Sequence, residues 1–177
     1  MKKAISIAII FLIFILIFIL QANFFNWFTI AGVKPNLFIV LVIFLGLFAG
    51  QKVGTAYGII LGIFLDLVLG RNIGISAIML GITGFFGGYL DKNFSKESRL
   101  TVMLMMIGAT AVYEIGTYIF SIIEFSTNIE IISFTKILII EIFYNAILTI
   151  ILYPIIQKGG YKLEEIFKEQ KILTRYF

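Results

Sequence analysis

Three carboxylates, Asp66, Glu114 and Glu141, stand inside long apolar runs and are the residues best placed to do chemistry. A charge at the centre of a membrane helix costs about 3 kcal/mol on insertion scales, so each must face a partner, a cavity or another helix. Polar neighbours accompany two of them at helical spacing: Thr110, Thr117 and Tyr118 around Glu114, and Asn145 and Thr149 after Glu141. Residues three, four, seven and eight apart share one helix face. Paired carboxylates can perform acid–base work. Here no nucleophile or metal set stands with them, and histidine and cysteine are absent. That removes thiol and disulfide chemistry, most zinc and haem sites, and imidazole catalysis. Phosphate-loop, HExxH and GxSxG motifs are also missing. Three uses remain open for the acids: hydrogen bonding between helices, binding of a partner's helix or a small ligand, and a proton relay. A relay wants titratable groups continuing across the membrane, and the far half of the spans offers none. The residues therefore read as a non-enzyme with neither cofactor nor metal.

The elements that must position these groups are membrane helices. Of 177 residues, 60% are hydrophobic and 14% charged, against about 25% charged in a soluble domain. Six spans are expected: Ala4–Phe25, Asn36–Gly50, Val53–Leu69, Ile73–Leu90, Leu100–Ile123 and Phe134–Ile156. The first is longer than a signal-peptide core and no small-x-small cleavage site follows, so it reads as a retained helix. The second is short, roughly 22 Å at 1.5 Å per residue. Without a break at Gln51-Lys52 the second and third spans would form one helix too long for the bilayer. Pro35 suits a helix start, and Trp27 with its Phe neighbours suits the interfacial belt.

Eleven of the 14 Lys and Arg residues fall on one side if the N-terminus is cytoplasmic, leaving Lys34, Arg71 and Lys136 outside. The positive-inside bias therefore puts both termini in the cytoplasm. It also accounts for the basic residues without nucleic-acid binding. Asp66, Glu114 and Glu141 then lie about four, nine and seven residues from the outer ends of their spans, all in the outer half. A polar pocket or network opening outward is expected, formed by Asp66, Glu114, Tyr118, Glu141 and Asn145. Residues 1–157 form the six-helix domain and 158–177 a cytoplasmic tail. Gly159-Gly160 is expected to break the sixth helix, and Leu163, Ile166, Phe167 and Leu173 then form the apolar face of a helix lying on membrane lipid.

Gly46, Gly50, Gly54, Gly58, Gly62, Gly70 and Gly74 recur every four residues, with Asp66 in the vacant place. Small residues let helix backbones approach in lipid. Gly54, Gly58, Gly62, Gly70 and Gly74 are thus helix-packing candidates, within the bundle or, alternatively, in a homodimer. Across Gln51-Lys52 the register reads as accidental. Gly81, Gly84, Gly87 and Gly88 add a second small-residue set.

The block Lys34-Pro35-Asn36-Leu37, Gly54-Thr55-Ala56-Tyr57-Gly58, Leu61-Gly62-Ile63-Phe64-Leu65-Asp66-Leu67, Gly70 and Gly74, with Asn145 and Pro154 in the sixth span, resembles the bacterial rod shape-determining MreD family. The resemblance carries Pro35, Asn36, Asp66, Asn145 and Pro154 as motif residues. It implies a non-enzymatic inner-membrane scaffold of the cell-elongation machinery, bound to MreC and linking cytoplasmic MreB filaments to peptidoglycan synthases. It also implies an all-α, six-transmembrane-helix bundle similar to the substrate-binding subunit of energy-coupling-factor transporters. On that reading Gly54, Gly58 and Gly62 admit MreC's transmembrane helix closely, and the polar residues anchor it. The alternative is a small-molecule-binding transport subunit, echoed by the Ala4…Ala8 spacing.

Overall fold

A computed structural model describes residues 2–69, 74–125 and 130–168. Among the described residues the long elements are six helices: α1 (Lys2–Ala22), α2 (Leu37–Ala49), α3 (Gln51–Leu69), α4 (Ile75–Asn93), α5 (Arg99–Phe125) and α6 (Ile131–Phe167), with a 3₁₀ turn at Phe24–Asn26. Four of them, α1, α3, α5 and α6, are long and apolar enough to cross a membrane; α2 is apolar but shorter, and α4 stands outside that set. The chain is an all-α, multi-pass membrane protein. The expected start of the fourth span, Ile73, and the packing candidate Gly70 lie outside the described residues.

The core is built around α2. A helix apolar on every side has no face to give to water and belongs inside. All of α2 except Leu41 is buried. At 13 residues it is about 20 Å long, shorter than the ~30 Å hydrocarbon layer. Its terminal peptide groups therefore need partners from the protein itself. Gly50, at φ +94°, turns the chain from α2 into α3 within one residue, a conformation that favours glycine.

The glycine series turns out to be a seam among α2, α3 and α4. A Cβ at Gly54 would lie 2.6 Å from the Gly46 Cα and 2.7 Å from the Gly84 oxygen. One at Gly58 would lie 2.6 Å from the Leu80 carbonyl carbon, and one at Gly62 2.6 Å from the Ala77 nitrogen. The Gly46–Gly54 register across Gln51-Lys52 is thus a real contact, because the turn at Gly50 folds α3 back along α2. The same face of α3 is covered by α4, so it is free neither for a homodimer nor for a partner's helix. Gly74 does not pack: nothing lies within 4 Å of the position its Cβ would take. Its role is conformational, a left-handed turn at φ +116° just before α4.

On the other flank, α5 and α6 run antiparallel and close over α2. Phe14 of α1 is fully buried, its ring 5.4 Å from Phe38 and 5.5 Å from Phe64. The rest of α1 is mostly exposed, as is Trp27. The expected break at Gly159-Gly160 is absent: α6 continues through both glycines to Phe167. Gly160 is buried against Phe48, whose ring a Cβ there would strike. Leu163 and Phe167 pack against the core rather than presenting a free apolar face, and Leu173 lies outside the described residues.

Candidate functional site

Asn36 and Asn145 of the motif set meet Thr110 of the α5 polar stripe at the N-terminal end of α2. Asn36 is its N-cap, and its side chain accepts from the Ile39 amide at 3.4 Å. Such a cap satisfies one of the helix's orphan donors. Two more are met from other helices. The Leu37 amide donates to the Gln21 Oε1 of α1 at 3.1 Å, and the Asn36 amide to the Asn145 Oδ1 of α6 at 2.8 Å. Asn145 is 0% exposed, and its Nδ2 donates to the Thr110 hydroxyl of α5 at 3.2 Å. One amide side chain therefore joins α2, α5 and α6. Thr149 bonds back to the Asn145 carbonyl at 2.7 Å, and Tyr144 donates to the Phe28 carbonyl at 2.7 Å, tying the α1–α2 connection to α6.

One turn along α6 from Asn145 stands Glu141, 7% exposed and faced by Glu114 of α5, Asn36 and Asn145. Its Oε1 has no hydrogen-bond partner. Two further buried oxygens on α5, Thr117 Oγ1 and Tyr118 OH, also lack partners. The Tyr118 ring of α5 stacks on Phe134 of α6, centroids 4.0 Å apart and planes 10° from parallel. Buried polar atoms almost always have partners, so these three orphans, one on Glu141 and two within four residues of Glu114 along α5, depart from ordinary packing.

Asp66 does not join the cluster. Its Oδ2 accepts from the Gly74 amide at 2.8 Å and the Ala77 amide at 3.4 Å, and its Oδ1 from the Ser76 amide at 3.3 Å. It is 1% exposed and serves as the anionic cap of α4, where the helix dipole favours negative charge. Helical spacing alone could not show this, since its partners lie across a chain reversal. Pro154 lies inside α6 and is exposed, apart from the Asn145 contacts.

The opposite end holds a cluster that the sequence reading missed. Lys96 bonds Asp91 at 2.8 Å and Glu164 at 2.6 Å, while Lys168 bonds Asp91 at 2.7 Å and Glu164 at 3.0 Å. Lys168 also donates to the Leu47 carbonyl at 3.0 Å, serving the C-terminal end of α2. Burial works against the Lys96 ammonium. The hydrogen bonds to Asp91 and Glu164 outweigh it, so its pKa lies above the ordinary lysine value of 10.5. Tyr153 donates to the Lys96 and Glu97 carbonyls at 2.8 Å each, fixing that loop to α6. The only sequence signal was the opposite charge of residues 91, 96, 164 and 168, and the expected helix break at Gly159-Gly160 hid it.

A family model described as rod shape-determining protein MreD matches residues 1–159. Neither a curated protein nor a solved structure matches the chain. Nothing in these comparisons supports a small-molecule transport subunit.

Proposed function

The chain belongs to the MreD family of rod shape-determining proteins, and from that premise we propose that it is a non-enzymatic scaffold of the cell-elongation assembly that binds MreC. The family assigns it to the shape-determining system. The finer reading is a protein of the bacterial inner membrane with both termini cytoplasmic, coupled through MreC to MreB filaments inside and peptidoglycan synthases outside. Its work is recognition.

The observation that carries this is the family match over residues 1–159. The bundle supports a location for recognition. With Gly54, Gly58 and Gly62 covered by α4, a partner's transmembrane helix docks elsewhere. The outer half of α6 exposes Ile132, Ile139 and Phe143 on one face. Glu141 and Asn145 are buried and tie the bundle together, so polar contact with the partner falls to the half-buried Glu114 and Tyr118 of α5. Isolation in mild detergent, with mass spectrometry of proteins and small molecules, tests the reading. MreC is expected to co-purify, and cells lacking the chain are expected to round. Loss of neither shape nor MreC capture would refute the scaffold role, and reporter fusions placing the tail outside would refute the topology.

A further inference from the structure

The helices that face lipid differ in length, and they are held level at one end. Lys92 of α4 donates to the Gln51 Oε1 at the start of α3 at 3.2 Å. Lys96 and Lys168 join Asp91 of α4 to Glu164 of α6, and Lys168 also reaches the Leu47 carbonyl of α2. Tyr153 of α6 holds the Lys96 and Glu97 carbonyls just before α5. From that common level α3 and α4 run for 19 residues each, against 27 in α5. Without the polar ends Gln51-Lys52 and Asp91-Lys92-Asn93, residues 53–69 measure about 25 Å and residues 75–90 about 24 Å. Exposed apolar side chains on α5 run from Leu100 to Ile123, about 35 Å. The hydrocarbon layer is ~30 Å thick. Tilt fits α5 to it, whereas tilting α3 or α4 only shortens their reach.

We propose that the α3–α4 flank carries an annulus of thinned bilayer and selects lipid with short acyl chains, while the α5 flank stands in bilayer of ordinary thickness. Ile60, Ile63 and Leu67 of α3 and Ile78, Ile82 and Phe85 of α4 are the exposed side chains that meet this lipid. The pair cannot lengthen by sliding, because its backbones touch at Gly58 and Gly62, where a Cβ would strike Leu80 and Ala77. Asp66 gives an independent reason. It lies about 21 Å along α3 from the exposed Lys52, with the Gly74, Ser76 and Ala77 amides around it. Measured from Lys52, a ~30 Å layer would put this carboxylate cap and its chain reversal about 9 Å inside hydrocarbon. A layer of about 24 Å brings them close to its boundary. Mismatch of a few ångströms is a modest cost for the bilayer, and a carboxylate held deep in hydrocarbon is a large one, so the bilayer yields.

Trp27 is the chain's single tryptophan, which permits a test by site-specific fluorescence quenching. In a Trp27→Phe background, Ile60→Trp and Ile82→Trp place the probe on the α3–α4 flank, and Val112→Trp places it on α5; all three positions are exposed. Each full-length variant, monodisperse by size exclusion, is reconstituted without MreC in vesicles of brominated dioleoyl phosphatidylcholine mixed with unbrominated phosphatidylcholine of graded acyl length. Relief of quenching reports which lipid touches each probe. At Ile60→Trp and Ile82→Trp, dimyristoleoyl lipid should displace the brominated lipid roughly twofold better than dieicosenoyl lipid. At Val112→Trp that preference should be absent. The same chain-length response at all three sites, or a preference for long chains on the α3–α4 flank, would overturn the proposal. So would an absence of quenching at Ile60→Trp and Ile82→Trp, which would show a second copy covering that face. Because MreC takes no part, the outcome is independent of the scaffold reading.

Discussion

Replacing Asn145 by Leu, nearly the same volume, removes the amide that joins three helices. Two hydrogen bonds disappear, to the Asn36 amide at 2.8 Å and to the Thr110 hydroxyl at 3.2 Å. The two losses are unequal. The Thr110 hydroxyl can rotate to the carbonyl four residues back on its own helix. The Asn36 amide is a fixed backbone donor at the start of an enclosed helix and has no such recourse. An orphaned buried donor costs about 1–3 kcal/mol, whereas polar contacts between membrane helices average ~0.6 and reach ~1.7 kcal/mol. The expected destabilisation is therefore about 2 kcal/mol, which lowers the midpoint of a chain this size by about 4–8 °C. Thr110→Val, which removes only the lesser bond, should cost about 0.5 kcal/mol. Thermal unfolding in detergent measures both, and hydrogen exchange at the Asn36 amide locates the effect. An Asn145→Leu protein with an unchanged midpoint and an equally protected Asn36 amide would refute the reasoning.

Gly58→Leu should prevent α3 and α4 from closing and yield aggregated or degraded protein, whereas Gly159→Ala, at a position with nothing within 4 Å, should be neutral; size-exclusion profiles separate them. Asp66→Ala strips the anionic cap from three α4 amides and should cost about 1.5–3 kcal/mol, with Asp66→Asn milder, both read by thermal melts. The Lys96 cluster should give a pH-dependent term of definite sign. Because the folded pKa is raised, its stabilisation is fully present below pH 10.5 and lost as pH climbs through the folded value. Lys96→Met should flatten the alkaline limb of the melting profile.

Much of the helical layout was legible because long apolar runs and their polar breaks are local signals. The expected second span, Asn36–Gly50, differs from α2 (Leu37–Ala49) by a residue at each end. Pairings between runs were less legible. Thr110, Glu114, Glu141 and Asn145 were recognisable as stripes by their spacing, and the structure brings them together. Asp66 followed the same greasy-helix logic but went elsewhere, because its partners are backbone amides, which leave no trace in residue types. The Gly46–Gly54 register looked accidental while the chain was read as two separate spans; a one-residue turn at Gly50 makes it a contact. The glycines at 159 and 160 looked like a breaker on propensity alone, yet close packing against Phe48 requires a missing side chain at Gly160.

The tethering of α2 has a consequence for biosynthesis. Two fastenings of this central rod, Asn145 at one tip and Lys168 at the other, come from α6 and the residue that caps it, 109 and 121 residues after the groups they hold. Until that segment arrives, the Gln21 bond and the Asn36 cap can form, but the Asn36 amide and the Leu47 carbonyl of the rod lack their partners. A nascent or truncated chain lacking α6 is thus exposed to membrane proteases, and maturation of the bundle waits on the arrival of α6.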